Sequence, residues 1–250
     1  MTLKMMTFNL RLDVKSDGIN AFPNRKDNIY RAIVGEAPDI IGFQEATDSM
    51  RAFLREKLTE YVVLGCGRNA DNGGEGVCIA YKKDAYELIS FNTYWLSDTP
   101  DVAGSVYENT DQSICPRVSV DAKLRVQETG KIFNVFNTHL DHKGEQARLL
   151  GMKQVLSEIK SRGGDFVLLG DMNATPDSEC IKAALAVDGV IDATADIDGT
   201  FHGFGCYDVP TKIDYIFTNV LTTDAYRLDD EHTDGVYISD HYPVCAIIEI

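Results

Sequence analysis

The sequence predicts an α/β protein in which two packed, mixed β-sheets carry helices on their outer faces. Three observations lead there. Apolar runs of strand length recur along all 250 residues. Helical patterns alternate with them early in each half, whereas hairpin-like strand pairs fill the middle, a mixture that βαβ units alone do not produce. Strand after strand also ends on a polar residue, so one end of the sheets is reserved for chemistry.

Leu3 to Leu10 reads as a buried strand tipped by Asn9. A loop rich in Asp, Gly and Asn follows, and Arg25 to Ala37 reads as a helix with Ile29 and Ile33 inward, stopped by Pro38-Asp39. Ile40 to Glu45 is a short buried strand with a carboxylate at its end. Met50, Phe53, Leu54 and Leu58 form the apolar stripe of a second helix. Tyr61 to Leu64 is a strand, and Gly65 to Gly76, with five glycines, reads as a flexible surface loop. No G-K-[ST] follows those glycines, which argues against a P-loop. Val77 to Tyr81 and Leu88 to Trp95 are two strands expected to pair as a hairpin, and Ser97 to Ser113 is a polar segment suited to face a substrate.

Val118, Val120, Ala122, Leu124 and Val126 alternate strictly, the pattern of a half-buried strand. Glu128-Thr129-Gly130 turns the chain back into a strand from Lys131 to Thr138. Leu149, Met152, Leu156 and Ile159 mark a long helix. Phe166 to Leu169 is an apolar run with the length of a buried strand and delivers Gly170-Asp171-Met172-Asn173. Pro176-Asp177-Ser178 then reads as a turn and N-cap for a helix carrying Ile181, Ala184 and Leu185. Lys212 to Phe217 and Val244 to Ile250 complete the strands. No linker, repeat or charge block divides residues 1–250, so a single domain is expected.

Hydrophobic residues make up 44% and charged residues 25% of the chain, enough to bury a core. No apolar run approaches the roughly 18 residues of a membrane span. Met1-Thr2-Leu3-Lys4 shows no leader, and the compartment stays open. The net charge of −15 argues against non-specific binding of duplex nucleic acid, which favours basic faces. The six cysteines form no C-x-x-C pair and no metal spacing with histidine, and read as free thiols.

The strand-tip residues are Asn9, Glu45, His139, Asp171 with Asn173, Asp214, and Asp240 with His241. Asp171-Met172-Asn173 alone could be an Asx turn. Six such ends gathered by the sheets suggest one metal-centred site instead. Glu45 and Asp171 supply charge for a hard divalent ion, Asn9 and Asn173 add neutral oxygens or amide donors, and the imidazoles complete an acid/base set. His142 and His202 read as supporting or surface residues, with His202 placed to rim the pocket, and His232 reads as solvated.

Thr7-Phe8-Asn9, Phe43-Gln44-Glu45, Asn137-Thr138-His139-Leu140-Asp141-His142, Gly170-Asp171-Met172-Asn173, Ile213-Asp214-Tyr215-Ile216 and Ser239-Asp240-His241-Tyr242-Pro243 together resemble the endonuclease/exonuclease/phosphatase family. The resemblance runs from residue 5 to 250 with the motifs in the family's order. It implies a four-layer α/β sandwich of deoxyribonuclease I type and Mg²⁺-dependent (or Mn²⁺-dependent) hydrolysis of a phosphoester. By motif, Glu45 is the expected metal carboxylate, with Asn9 beside metal and phosphate and Asp240 a second metal-side carboxylate. Asp171 and Asn173 are the pair expected to position the attacking water and a phosphate oxygen. His241, oriented by Asp214, is the expected phosphate-contacting imidazole. His139 matches the other family histidine, Glu75 its carboxylate partner, and Arg117 the arginine that faces the scissile phosphate; as bare residues, Glu75 could be a solvated loop carboxylate and Arg117 a surface ion pair.

The Asn137-Thr138-His139 form is closer to the deadenylase and phosphodiesterase branch than to abasic-site endonucleases. The expected substrate is a phosphodiester: single-stranded nucleic acid, a nucleotide or a small phosphorylated molecule, turned over by a monomer. A phosphomonoesterase of inositol-phosphate type is the alternative. An inactive binding protein on the same scaffold would lack Glu45, Asp171 or His241, and all three are present.

Overall fold

The computed structural model describes residues 1–229 and 235–250, so His232 lies outside the described residues. Along the chain run β1 (Thr2–Asn9), α1 (Phe22–Glu36), β2 (Ile40–Ala46), α2 (Asp48–Lys57), β3 (Tyr61–Gly67), β4 (Gly76–Lys82) and β5 (Tyr86–Trp95). Then come β6 (Val118–Val126), β7 (Ile132–His139), α3 (Glu145–Arg162), β8 (Phe166–Asp171) and α4 (Glu179–Leu185). The last strands are β9 (Ile191–Asp192), β10 (Asp214–Thr218), β11 (Thr222–Arg227) and β12 (Val244–Glu249).

Among the described residues these strands build two six-stranded sheets, ordered β11-β12-β1-β2-β4-β3 and β5-β6-β7-β8-β10-β9. Both are mixed, as expected. At the centre of the first, β1 and β2 run parallel; at the centre of the second, β7 and β8 do. A parallel pair ends on the same side, so Asn9 is delivered beside the end of β2, and His139 directly opposite Asp171.

Period-two alternation then sorts the side chains into layers. Met5 and Ile40 of the first sheet meet Val135 and Leu169 of the second in a shared inner core. Their neighbours Met6 and Ile41 point the other way and pack with Ile29 and Ile33 of α1 and Met50 and Leu54 of α2. Phe136, Leu168 and Phe217 pack outward with Met152 and Val155 of α3 and Ile181 of α4. The result is the expected sandwich of helices, sheet, sheet and helices. Among the described residues no helix is long and apolar enough to cross a membrane.

Several local expectations need correction. The strands at Val77–Tyr81 and Leu88–Trp95 do not pair with each other. β4 lies between β2 and β3 in the first sheet, and β5 pairs β6 in the second. β4 is apolar on both faces, which suits an interior strand, and the short connection after it crosses between sheets. The glycine-rich stretch is not all loop. β3 continues through Gly67, which pairs with Gly76, and a Cβ at Gly67 would stand 1.9 Å from the Gly73 carbonyl oxygen. Glycine is needed there for close backbone approach. α1 begins at Phe22, before Arg25, with Pro23 in its first turn. Ser178 occupies the N-cap position of α4 without a side-chain capping bond.

The two sheets pack closely at Gly42, where a Cβ would lie 2.8 Å from both Asn137 Oδ1 and Leu169 Cβ. Gly42→Ala must therefore push the sheets apart or displace a buried amide. It should cost about 1–3 kcal/mol, the usual penalty of overpacking. Urea unfolding reads this directly, and an unchanged midpoint would contradict the close contact.

Candidate active site

The ends of the central strands open onto one cavity of about 390 Å³. Glu45, Glu75, Arg117, His139, Asp171, Asn173, Asp240 and His241 all line it, so most residues singled out in the sequence are brought together. Asn9 and Asp214 stand immediately behind, each bonded to a lining residue.

β2 carries a bulge: its register against β4 slips between Phe43 and Ala46. Glu45, in the bulge, has φ of 58°, a left-handed conformation unusual for a residue with a side chain. The bulge aims its carboxylate across the strand end. One oxygen accepts from Asn9 Nδ2 at 3.2 Å and the other from the Leu12 amide at 2.8 Å. The same Asn9 amide donates to Asp171 Oδ2 at 2.9 Å, which ties the first sheet to the second.

From Asp171 a line of titratable groups runs in both directions. Asp171 faces Asp214 across the β8–β10 ladder, and Asp214 Oδ2 lies 2.8 Å from His241 Nδ1. His241 Nε2 lies 3.9 Å from Asp171 Oδ2. On the other side, His139 Nε2 is 3.5 Å from the same Asp171 oxygen, and its Nδ1 is 3.6 Å from Glu75 Oε1. Asp171 is held at its second oxygen by the Asn173 amide at 2.8 Å, and Asn173 itself has φ of 47°.

The two imidazoles are driven apart. Burial opposes charge on His241, yet Asp214, with Asp240 and Asp171, outweighs it and lifts the imidazole to about 10, so it is protonated at neutral pH. Burial, with the positive charges of Arg117 and Arg68, holds His139 well below the usual imidazole range, so it is neutral. Burial and then the Asp214 charge push Asp171 up to about 7. Burial and the Glu45 charge likewise push Glu75 and Asp240 upward.

Glu75 reaches the site but makes its close bond to Arg68, at 2.7 Å, and stands beyond hydrogen-bond distance of His139. Arg117 is buried; one nitrogen meets His142 Nδ1 at 2.8 Å, while Nε and Nη1 have no hydrogen-bond partner. Those two nitrogens still face carboxylates, Nε 3.5 Å from Asp141 Oδ2 and Nη1 3.9 Å from Glu75 Oε1, so the guanidinium is ion-paired at the cavity wall.

Two histidine expectations change. His142 lines the cavity. His202 does not rim it: the ring is buried and stacked on Tyr242 with centroids 4.2 Å apart. Phe201 takes the rim position, its ring 4.9 Å from that of His241. Sequence reasoning also missed Arg11, Arg68 and Arg25. Arg11 pairs with Asp17 at 2.9 Å and lies 3.8 Å from Asp240. Arg25 is fully buried and donates to the carbonyls of Leu10, Arg11 and Ile238 at 2.7, 2.9 and 2.8 Å. It thereby fixes the loop after β1 and the segment leading into Asp240. Its signal was present: Arg25, Ile29 and Ile33 share one helical face.

The sequence profile of the Endonuclease/Exonuclease/phosphatase family matches residues 6–241. A crystal structure of an endonuclease/exonuclease/phosphatase from Bacteroides vulgatus is 34% identical, with a TM-score of 0.93 over 100% of this chain and 99% of that one. A mannosyl-6-phosphatase of Bacteroides thetaiotaomicron is 26% identical, with a TM-score of 0.85 over 99% of this chain and 100% of that one. TDP2 of D. rerio, complexed with a single-strand DNA product, shares the fold at 18% identity and a TM-score of 0.80 over 100% of this chain and 99% of that one.

The raised His241 makes a stability prediction. Its folded value of about 10 exceeds the ordinary 6.5, so its contribution is fully present below pH 6.5 and is lost as pH rises towards 10. The melting temperature of the wild type should fall more steeply over that interval than that of His241→Gln. Equal slopes would contradict a protonated His241.

Proposed function

The chain belongs to the Endonuclease/Exonuclease/phosphatase family, and from that premise we propose that it hydrolyses a phosphodiester of a small phosphorylated molecule by metal-assisted attack of water. The supporting observation is the line Asp214–His241–Asp171–His139–Glu75 set beside Glu45 in a single cavity.

A divalent ion fits the donor set. Glu45 and Asp240 offer carboxylate oxygens, and Asn9 stands beside them with its Oδ1 accepting from the Arg11 amide at 2.9 Å. The burial and Glu45 charge that raise Glu75 and Asp240 mark a site that a cation would stabilise. Oxygen donors suit Mg²⁺ or Mn²⁺, which keep several waters and need few protein ligands. Asp171, Asp214 and His241 also present ligand atoms within 4.8 Å of one another. His241 spends Nδ1 on Asp214 and carries a proton on each nitrogen, so it has no lone pair for a metal. Glu45 is the better holder, with Asn9 and Asp240 alongside. Bound there, the ion would neutralise phosphate charge and lower the pKa of water.

Asp171, raised towards neutrality, takes the proton from the attacking water. As the water oxygen bonds to phosphorus the P–O bond to the leaving group breaks, and the departing oxygen takes up a proton from solvent. His241 donates from Nε2 to a non-bridging phosphate oxygen, and Asp214 fixes its orientation and charge. Asn173 and Arg117 supply further donors to the phosphate. Neutral His139 borders the same oxygen of Asp171 from the opposite side.

A second reading, hydrolysis of a phosphomonoester, has its own support. Arg68 and Arg117 both line the cavity, and their positive charge suits the extra charge of a terminal phosphate. The likeness to a mannosyl-6-phosphatase favours the same reading. Assay against bis-p-nitrophenyl phosphate, p-nitrophenyl phosphate, inositol phosphates, poly(A) and duplex DNA separates the two. Small esters should turn over and supercoiled plasmid should not be nicked rapidly at moderate salt; rapid nicking would overturn the small-molecule reading. No turnover of any substrate with Mg²⁺ or Mn²⁺ would favour a binding protein.

Glu45→Gln should lower metal-dependent turnover by about a hundredfold or more while the protein stays folded. Full activity in excess EDTA would refute a metal requirement. With Asp171 as base, His241→Gln should slow the reaction at every pH and keep the acidic limb. A His241→Gln profile that is flat where wild type climbs would reassign the base to His241.

A further inference from the structure

Between the two sheets, in a largely apolar layer, lies a pair of side-chain amides. Asn137, from β7, is fully buried and sits two residues before His139; Gln44, from β2, is fully buried and immediately precedes Glu45. Asn137 Nδ2 crosses the interface and donates to the carbonyls of Phe43 and Cys78 at 2.9 and 2.8 Å. Phe43 and Cys78 are the last matched pair of β2 and β4 before the bulge that holds Glu45. Gln44 Nε2 returns the contact to Asn137 Oδ1 at 2.7 Å and also donates to Thr7 Oγ1 on β1 and to the Gly42 carbonyl, each at 3.1 Å. Gln44 Oε1 has no partner, so this side chain is placed by what it donates. Gly42 leaves the space in which Asn137 sits.

We propose that Asn137 and Gln44 form a positioning clamp that holds the Glu45 bulge of one sheet at a fixed distance from His139 and Asp171 of the other, and so sets the affinity of the site for its metal. The inference rests on the reading of Glu45 as the metal's carboxylate. Amides in a dry layer are costly unless bonded, and well-packed apolar side chains would stabilise the core as well. What the amides add is direction. They add hydrogen bonds to the packing between the two sheets, at the two strands that carry Glu45 and His139. Asn9 makes a second inter-sheet bond nearer the mouth, but it is itself part of the site. Neither Asn137 nor Gln44 lines the cavity, so both act through Glu45 and His139.

The test separates positioning from plain stability. Asn137→Leu keeps the volume and removes the bonds, whereas Val135→Ala, on the inner face of the same strand, weakens the core away from the bulge. Calorimetric titration with Mg²⁺, at a temperature where all variants are folded, should show affinity reduced tenfold or more in Asn137→Leu and by less than twofold in Val135→Ala. Equal loss in both would overturn the clamp. Should Asn137→Leu fail to fold, Gln44→Met reads the same quantity with the same two outcomes. If wild type binds no Mg²⁺, the metal reading fails by itself, and the clamp is judged by the side-chain amide resonances of Asn9. They must move in Asn137→Leu (or Gln44→Met) and stay in place in Val135→Ala; resonances that stay in place in both would overturn it.

Discussion

One amide, that of Asn9, holds two carboxylates that originate in different sheets. Its Nδ2 lies 3.2 Å from Glu45 and 2.9 Å from Asp171. Without such a donor, two acids facing each other in a largely buried space would repel, and the strand ends would have reason to splay. With it, the C-terminal ends of two parallel strand pairs meet at one point. The remaining polar groups are arranged from that point outwards, with His241 and Asp214 on one side of Asp171, and His139, Glu75, Arg68 and Arg117 on the other.

The electrostatics follow from this geometry. The chain carries 39 acidic and 24 basic residues, yet three arginines line its one cavity of active-site character among the described residues. They sit among carboxylates that burial and mutual repulsion push towards neutrality. The site is therefore a place where negative charge is already expensive, and a cation at Glu45 would relieve part of the cost. Opposite charge states of two histidines only one carboxylate apart come from their partners. Asp214 at 2.8 Å keeps one protonated against its burial, and burial together with Arg117 and Arg68 keeps the other neutral.

Much of this was legible in the sequence because chemistry interrupts periodicity. Asn9, Glu45, His139 and Asp171 each break an apolar run at its end, and an interior strand has no structural use for such a residue there. What could not be read lies elsewhere. Arg11 and Arg68 act from loops, where an arginine looks like any solvated charge. Arg25 hides on the inward face of a helix that otherwise reads as ordinary. β11 is a largely polar edge strand with little apolar alternation, and β9 is two residues long. The pairing of β4 and β5 was misread because adjacent strands usually pair, and nothing local reveals that the chain changes sheet between them. The left-handed conformation of Glu45 carries no sequence signal, since glycine or asparagine would be the usual occupant.

The location of a bound metal tests this picture most directly. Crystals soaked in Mn²⁺ and measured at the manganese absorption edge should show anomalous density at Glu45, on the side of Asn9 and Asp240, with His241 still bonded to Asp214. Density instead among Asp171, Asp214 and His241, with the imidazole as a ligand, would contradict a protonated His241 and the division of roles built on it.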